Sequence, residues 1–298
     1  ANSCSKTDAT QSMVNDLIRK TVRGLVGGSG PPVAFLTPKG DRGLFGPESM
    51  AWKIHADFIS MMIGGISALI LQALHPQALA GVWDHSTFRE DLKGRLGRTA
   101  FFIAATTYGP VEMADRVIER VNQIHTKITG FDEFGIPYSA TDPHLLAWVH
   151  LTETRSFMRS FEEYRKEKIS PREKDQYFFE MKSLGERMGA VDLPVTYAGT
   201  EKAIENYIPE LYFGERARCI VQLLENFPSN LATRPMIKLM SRAGFLNLPD
   251  WVYPLIGKPR PSDLERFALR KSIEFIAIPV REALKDGVAA HSLRRVYG

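Results

Sequence analysis

The sequence predicts an all-α fold built as a single helical domain, and two observations carry this prediction. Apolar residues recur at three- and four-residue spacing along most of the 298-residue chain, which is the period of helices with one buried face. Runs of alternating β-branched residues bounded by hairpin turns are nearly absent. We divide the chain into residues 1–49, an N-terminal helix with a Gly/Pro-rich arm, and residues 50–298, which form one globular unit with that arm.

Start and stop signals place the helices in order. An amphipathic stripe over Met13–Val26 ends at Gly27, and an uncharged apolar helix covers Phe58–Leu74, which we interpret as the buried centre of the core rather than a membrane span. The remaining predicted helices cover residues 94–108, 111–128, 142–165, 170 onward, 200 onward, 214–226, 233–244 and 262 onward. Capping signals support the starts at Asp142-Pro143, at Ser170 and at Ser262.

Composition excludes several classes of protein. The chain is 44% hydrophobic and 24% charged, which is typical of a globular protein and not of a disordered one. A net charge of +4 is too small to indicate a nucleic-acid partner. Two cysteines cannot build a disulfide framework, and the HExxH, Glu-x-x-His and Walker A patterns are absent. The first residues lack the apolar segment of a signal peptide, which favours a soluble, cytoplasmic protein without an integral membrane segment.

Histidine is the most common metal ligand among side chains, and six of the seven histidines lie between residues 55 and 150. His125 is the strongest candidate, because it lies beside Val117, Val121, Ile124 and Ile128, which mark the predicted buried side of its helix. A buried imidazole needs a partner. That partner is either a backbone carbonyl or water, or else an iron atom whose opposite side stays open.

A second constellation is Arg95, Arg98 and Thr99, which share one face of a predicted helix. The helix continues into an apolar segment, so this face points toward the interior. A guanidinium and a hydroxyl at the rim of an apolar cavity would bind a carboxylate or donate hydrogen bonds to oxygen. The alternative is a basic helix start that pairs with Glu90 and Asp91.

Several motifs in order now resemble a known family. They are Leu71–Pro76, Ala80–Val82, His85–Phe88, Arg95–Thr99, Ile124–Gly130, Tyr138–Pro143, Leu145–His150 and Leu248–Trp251. Over about residues 50–255 the chain is similar to the MpaB-type oxygenases (formerly DUF2236), which are related to the latex-clearing proteins. The resemblance implies a globin-like core that holds one haem b, with residues 50–298 as the haem-binding oxygenase domain.

By the same resemblance, His125 matches the proximal iron ligand, and Arg95 and Thr99 match the distal arginine and threonine. Arg98 stands where that family has a lysine. A lysine is able to lose its proton and coordinate iron, whereas arginine stays charged. The distal glutamate has no counterpart between His75 and Phe88, so rubber cleavage is in doubt, and His75 or His85 is a substitute for proton transfer. Arg95 and His75 are further candidates for contact with the haem.

The resemblance implies a haem-dependent oxygenase that activates dioxygen or peroxide and oxidises a hydrophobic small molecule. Oxidative cleavage of an isoprenoid C=C bond is the family precedent, and we expect Ile63, Leu71, Phe101 and Phe102 to line the apolar pocket. One alternative is a haem-binding sensor or carrier without organic turnover. Others are a cofactor-free scaffold and a peripheral membrane enzyme anchored by Met13–Val26.

Overall fold

The computed structural model describes residue 20, residues 32–227, residues 229 and 231, and residues 233–298. These residues are predominantly helical and form one domain, which confirms the predicted all-α class. The helix predicted over Met13–Val26 lies outside the described residues apart from Lys20. The helices are α1 (Met50–His55), α2 (Phe58–Ala73), α3 (Pro76–His85), α4 (Leu92–Tyr108), α5 (Val111–His125), α6 (Pro143–Tyr164), α7 (Pro171–Arg187), α8 (Tyr197–Asn206), α9 (Glu215–Glu225), α10 (Arg234–Leu246), α11 (Val252–Leu255), α12 (Asp263–Ala283) and α13 (Val288–Tyr297).

Side-chain caps start many of these helices. Asp142, Ser170 and Ser262 each accept a hydrogen bond from a backbone N–H of the first turn, as the sequence predicted. The helix predicted from Thr200 starts earlier. Thr196 Oγ1 accepts the Gly199 N–H at 3.0 Å and therefore begins α8 at the next residue.

The core is organised around α2, which crosses α6 at close range. A Cβ on Gly64 would lie 2.8 Å from the ring of Phe157 and 2.9 Å from the carbonyl oxygen of Ser156, so only glycine permits this approach. Helix α10 packs against the same helix, with Gly244 against Ile66. The apolar segment Phe58–Leu74 is thus the buried centre of the core, as predicted.

A short antiparallel hairpin interrupts the helices and was not predicted. Strands β1 (Thr129–Phe131) and β2 (Pro137–Ser139) pair with Gly130 opposite Tyr138. Asp132 Oδ1 accepts the N–H groups of Phe134 and Ile136, both at 2.9 Å, and closes the turn. Three residues a strand are too few to show the alternation by which strands are recognised in a sequence.

The described part of the N-terminal arm is fixed to the last helix. Arg295 of α13 is fully buried and donates hydrogen bonds to the carbonyl oxygens of Phe35 at 2.9 Å and Asp41 at 2.8 Å. The Gly40 N–H donates in return to the Arg295 carbonyl at 2.7 Å. Residues 32–49 therefore pack on the same unit as residues 50–298.

Among the described residues, each helix taken singly is too short or too polar to cross a bilayer. Helices α2 and α3 pass that test of length and composition only as a pair, and the chain bends by 105° between them.

Candidate active site

Helices α4 and α5 form an antiparallel hairpin that carries Arg95, Arg98, Thr99 and His125. At a rise of about 1.5 Å per residue, Arg95 lies about 20 Å from the turn along α4, and His125 lies about 21 Å from it along α5. Thr99 lies about 14 Å from the turn. The hairpin therefore brings Arg95 and His125 to the same end, the end opposite the turn.

The two ends of this hairpin differ in packing. Every residue from Ala105 to Pro110, at the turn, is buried. Between Leu92 and Ala104 only Gly97 is buried, and the last buried residue of α5 is Ile118. The turn end packs against α1 and α13. In the outer half, the Asn122 side chain donates a hydrogen bond to the Arg187 carbonyl of α7 at 2.9 Å. The outer half is therefore held at its surface and is the less buried end of the hairpin.

The central helix α2 has a partly accessible face in an otherwise buried surface. Its half-buried residues fall at helical spacing and form one stripe: Phe58, Met61, Met62, Gly65, Leu69 and Gln72. A Cβ built on Gly65 would meet no atom within 4 Å. Leu69, in this stripe, borders the same crevice as Arg95 of α4. We call the space between this stripe and the outer half of the hairpin the α4–α5 cleft.

Arg95 is half-buried at the edge of this cleft. Its Nη1 donates to Ser86 Oγ at 3.0 Å, and among the described residues no carboxylate lies within ion-pairing distance of its guanidinium. Burial lowers its pKa, and the charge of Arg98 acts in the same direction, but a guanidinium remains protonated. The adjoining crevice of about 40 Å³ is apolar and has room for little more than one water-sized molecule. Arg95 is therefore a cation that has a neutral hydroxyl partner but no counter-ion among the described residues.

The other two residues of the predicted constellation are exposed. Arg98 lies 3.8 Å from Asp91, so the surface ion pairing considered as an alternative is realised by Arg98 and not by Arg95. Thr99 is exposed one helical turn after Arg95, and its Oγ1 donates a long hydrogen bond of 3.3 Å to the Arg95 carbonyl. Its hydroxyl is therefore accessible on the same stripe of α4.

His125 is the last residue of α5, which ends three residues earlier than predicted. The buried stripe of this helix contains Ala114 and Ile118, and His125 continues it. Ile124 was predicted to be buried but is 47% exposed. The chain turns sharply after His125 and carries Ile128 away from the helix onto Ala80 and Tyr138.

The imidazole of His125 is available for coordination. Burial lowers its pKa, so the ring is neutral near pH 7. Neither ring nitrogen has a hydrogen-bond partner among the residues that the structure describes. A neutral, partly buried imidazole without a partner is the state from which histidine coordinates a metal.

The end of α3 connects the two halves of the site. Ser86, which caps α3, accepts the hydrogen bond from Arg95, and the preceding residue, His85, donates from Nε2 to the Thr129 carbonyl at 3.2 Å. Thr129 opens β1, four residues after His125. His85 and Ser86 are adjacent in the chain, so these two hydrogen bonds link the Arg95 side chain to the segment that follows His125.

Helix α6 carries two further ionisable residues, Glu153 and His150, to which no role was assigned from the sequence, and the His150 ring lies against Gly185 of α7. Burial raises the pKa of Glu153 to about 7 and lowers that of His150 to about 4. Glu153 lies one helical turn before Phe157, which packs in the cluster of Ile118. Its carboxyl has no hydrogen-bond partner among the described residues. The available signal was that Glu153 is the one acidic residue in the segment from Leu145 to Met158.

The structure places His75 with other partners. It caps α3 and is 2% exposed, and its Nε2 lies 3.2 Å from Glu210, which also binds His144. Its ring contacts Trp148 and Tyr207. None of these residues belongs to the α4–α5 hairpin, so the structure does not bring His75 together with Arg95 and His125.

The side chains that were expected to line an apolar pocket do not lie together. Ile63 and Leu71 are fully buried in the main core, and Phe101 is 45% exposed. Phe102 packs with the separate cluster that contains Phe157. Ile63 and Leu71 lie on the core-facing side of α2, whereas the half-buried side that borders the cleft contains Gly65.

These observations test whether the residues fit a haem. The cleft offers a neutral imidazole without a partner, a half-buried guanidinium without a counter-ion, and an open glycine face on the central helix. A haem needs a free nitrogen ligand for its iron and an open face for its ring, and a guanidinium near it stabilises negative charge. The chemistry of these residues therefore fits a haem bound by His125, with Arg95 as a nearby cation.

The described residues thus form a predominantly helical domain with a group of candidate functional residues at one end of the α4–α5 hairpin. The chain matches the family described as ER-bound oxygenase mpaB/B'/Rubber oxygenase, catalytic domain, over residues 52–278, and it belongs to that family. The match confirms the resemblance found in the sequence and makes the chain an oxygenase-type enzyme. No curated protein and no solved structure matches it significantly.

Proposed function

We propose that the chain is a haem b-dependent oxygenase that oxidises a hydrophobic small molecule. The observation that carries the proposal is the match to an oxygenase catalytic domain over residues 52–278, a range that contains every residue of the cleft. The unpartnered imidazole of His125 and the unpaired Arg95 support haem as the cofactor. When bound, a haem supplies the redox chemistry that activates dioxygen or peroxide.

His125 would hold the haem from the α5 side. Its ring is neutral, and the Ile128 anchor and the His85 hydrogen bond to Thr129 fix the segment that follows it. Position 98, where the resemblance would place a lysine, is an arginine that lies exposed beside Asp91 and would not coordinate iron.

Arg95 and Thr99 would provide electrostatic stabilisation on the α4 side. The guanidinium keeps its charge in a partly buried position, where a charge acts more strongly than in water. Ser86 holds it in place with the hydrogen bond to Nη1. Donors that are already positioned where negative charge develops typically lower a barrier by several kcal/mol.

Glu153 would hold or release a proton at its carboxyl oxygens. Burial brings its pKa to about 7, which is the range in which a carboxyl group both accepts and donates protons efficiently. The family's distal glutamate has no counterpart between His75 and Phe88, and Glu153 supplies a carboxyl group from a different helix.

Leu69 and Leu96, with further apolar side chains of α3 and α9, line the crevice beside Arg95. Apolar side chains of this kind favour contact with a hydrophobic compound over a polar one. This surface favours an isoprenoid or aromatic compound over a polar metabolite, with oxidative cleavage of a C=C bond as the reaction to test first.

The ligand assignment is tested with His125→Ala, and His291→Ala serves as a matched histidine control on α13. His125→Ala should retain haem at least about tenfold less well, while the control should keep the wild-type Soret absorbance per chain. Equal haem content in both variants would reject His125. Oxygen uptake with a panel of isoprenoid and aromatic compounds then separates an oxygenase from a haem-binding sensor or carrier, since only the oxygenase consumes oxygen in proportion to substrate.

A further inference from the structure

His75, His144 and Glu210 come together on a different face of α6 from His150 and Glu153. We propose that they form a second site, which binds one divalent transition-metal ion of the zinc type. The proposal is independent of the haem, because none of the three residues belongs to the α4–α5 cleft. Two imidazoles and one carboxylate are a ligand set that zinc and other first-row divalent ions share.

The distances fit a coordination sphere. Glu210 Oε2 lies 3.2 Å from Nε2 of His75 and 2.9 Å from Nε2 of His144, and the ligand atoms all lie within 4.8 Å of one another. Tetrahedral zinc with bonds of 2.0–2.2 Å places its ligand atoms about 3.3–3.6 Å apart. Both distances from Glu210 are within about 0.7 Å of that spacing, and the two imidazole nitrogens lie within 4.8 Å of each other.

Packing holds both imidazoles in place. The His144 ring stacks on Tyr207 at 4.4 Å, and the Tyr207 hydroxyl donates to the His144 carbonyl at 2.9 Å. His75 is buried beside Trp148, its Nδ1 has no partner among the described residues, and its engaged nitrogen, Nε2, faces Glu210. Ligands fixed in this way lose little freedom on binding.

The third ligand arrives on a short segment with its own anchors. Glu210 ends the 3-10 helix Ile208–Glu210, and its N–H donates to the Tyr207 carbonyl at 2.8 Å. The Tyr212 N–H donates to the Leu74 carbonyl at 2.8 Å, which ties the segment to the residue before His75. An ion here would join the start of α3, the start of α6 and this segment.

Charge and access also favour a cation. Both imidazoles are uncharged when they coordinate a metal, so Glu210 leaves the site with a negative charge, and Asp142, which caps α6, adds a second one next to His144. The side chains of His144 and Glu210 are 51% and 41% exposed, while that of His75 is 2% exposed. An ion therefore has a path from solvent and a fourth position open to water.

The test measures zinc binding to the haem-loaded chain by titration calorimetry and by metal analysis after dialysis. The wild type should bind about one zinc ion per chain. His144→Ala and Glu210→Gln should each weaken binding by at least about tenfold, since even loss of a residue that only supports a ligand costs about 10–100-fold. Glu205→Gln on α8 and His291→Ala should bind zinc as the wild type does.

Haem content separates this proposal from the proposed function. His144→Ala and Glu210→Gln should keep the wild-type haem content and helical circular dichroism, and zinc should raise the melting temperature of the wild type but not that of these variants. Absence of bound zinc in the wild type, or equal affinity in wild type and both variants, overturns the metal site. The side chains of His144 and Glu210 are 51% and 41% exposed, and the helical circular dichroism shows whether each variant keeps its fold.

Discussion

Gly65 and Gly64 are neighbours on α2 that face different surroundings, and the pair tests the position of the cleft. A Cβ on Gly65 meets open space, whereas one on Gly64 meets Phe157 and Ser156 at 2.8 and 2.9 Å. The perturbation is a series of alanine and phenylalanine substitutions at these two positions.

The expected changes follow from helix propensity and packing. Alanine is favoured over glycine within a helix by about 1 kcal/mol, and at Gly65 this gain should appear as added stability. At Gly64 the same gain is opposed by overpacking of about 1–3 kcal/mol against a carbonyl oxygen that cannot rotate away, so the variant should be less stable than the wild type. Urea denaturation of the purified chain measures both free energies of unfolding.

Gly65→Phe then tests the function of the open space. An aromatic ring in the cleft should leave the fold intact but reduce haem content, because it takes the position that we assign to the haem. Gly65→Ala, which adds only a methyl group, should lower it much less. The reasoning is refuted if Gly65→Phe is folded and retains wild-type haem, since the cofactor would then lie elsewhere.

Three other substitutions test separate parts of the structure. Asp57→Ala should lower the free energy of unfolding by about 3 kcal/mol in urea, because it leaves Arg281, only 26% exposed, without its bidentate partner; a change below about 1 kcal/mol would contradict this. Burial raises the pKa of Glu153 from 4.5 to about 7, so the folded chain binds a proton that the unfolded chain releases, and stability should fall as the pH rises through this window. Glu153→Gln should flatten that slope, and an unchanged slope would reject the shift. Arg95→Ala should keep haem but slow oxygen uptake by at least about tenfold, whereas the exposed Arg98→Ala should change it little; equal rates in both would reject the role of Arg95.

Local signals predicted the helices well, because capping residues act within one turn. Asp142, Ser170 and Ser262 start their helices where the sequence placed them. The β hairpin was missed, since three-residue strands carry no periodic signal and depend on Asp132 closing the turn. The burial of Ile124 was wrong because periodicity cannot show that α5 ends at His125.

The residues of the candidate site also divide into those that local motifs indicate and those that depend on tertiary packing. Arg95, Thr99 and His125 lie in contiguous motifs on one hairpin, so sequence and family resemblance were enough to single them out. Glu153 was missed because the feature that distinguishes it, a raised pKa, results from burial, and burial of this carboxyl group cannot be read from the sequence.

The proposed second site also depends on tertiary packing, so the sequence alone did not indicate it. His75 and His144 each adjoin the proline that begins a helix, His75 before Pro76 and His144 after Pro143, so both lie at helix starts. Only the packing of α3 against α6 brings those starts together, and Glu210 arrives from a segment far along the chain. A ligand set assembled from three distant segments has no characteristic spacing, whereas the motif Glu-x-x-His lies on one helical turn. The absence of such motifs from a sequence therefore excludes metal sites built on one element, and it leaves open those built where several elements meet.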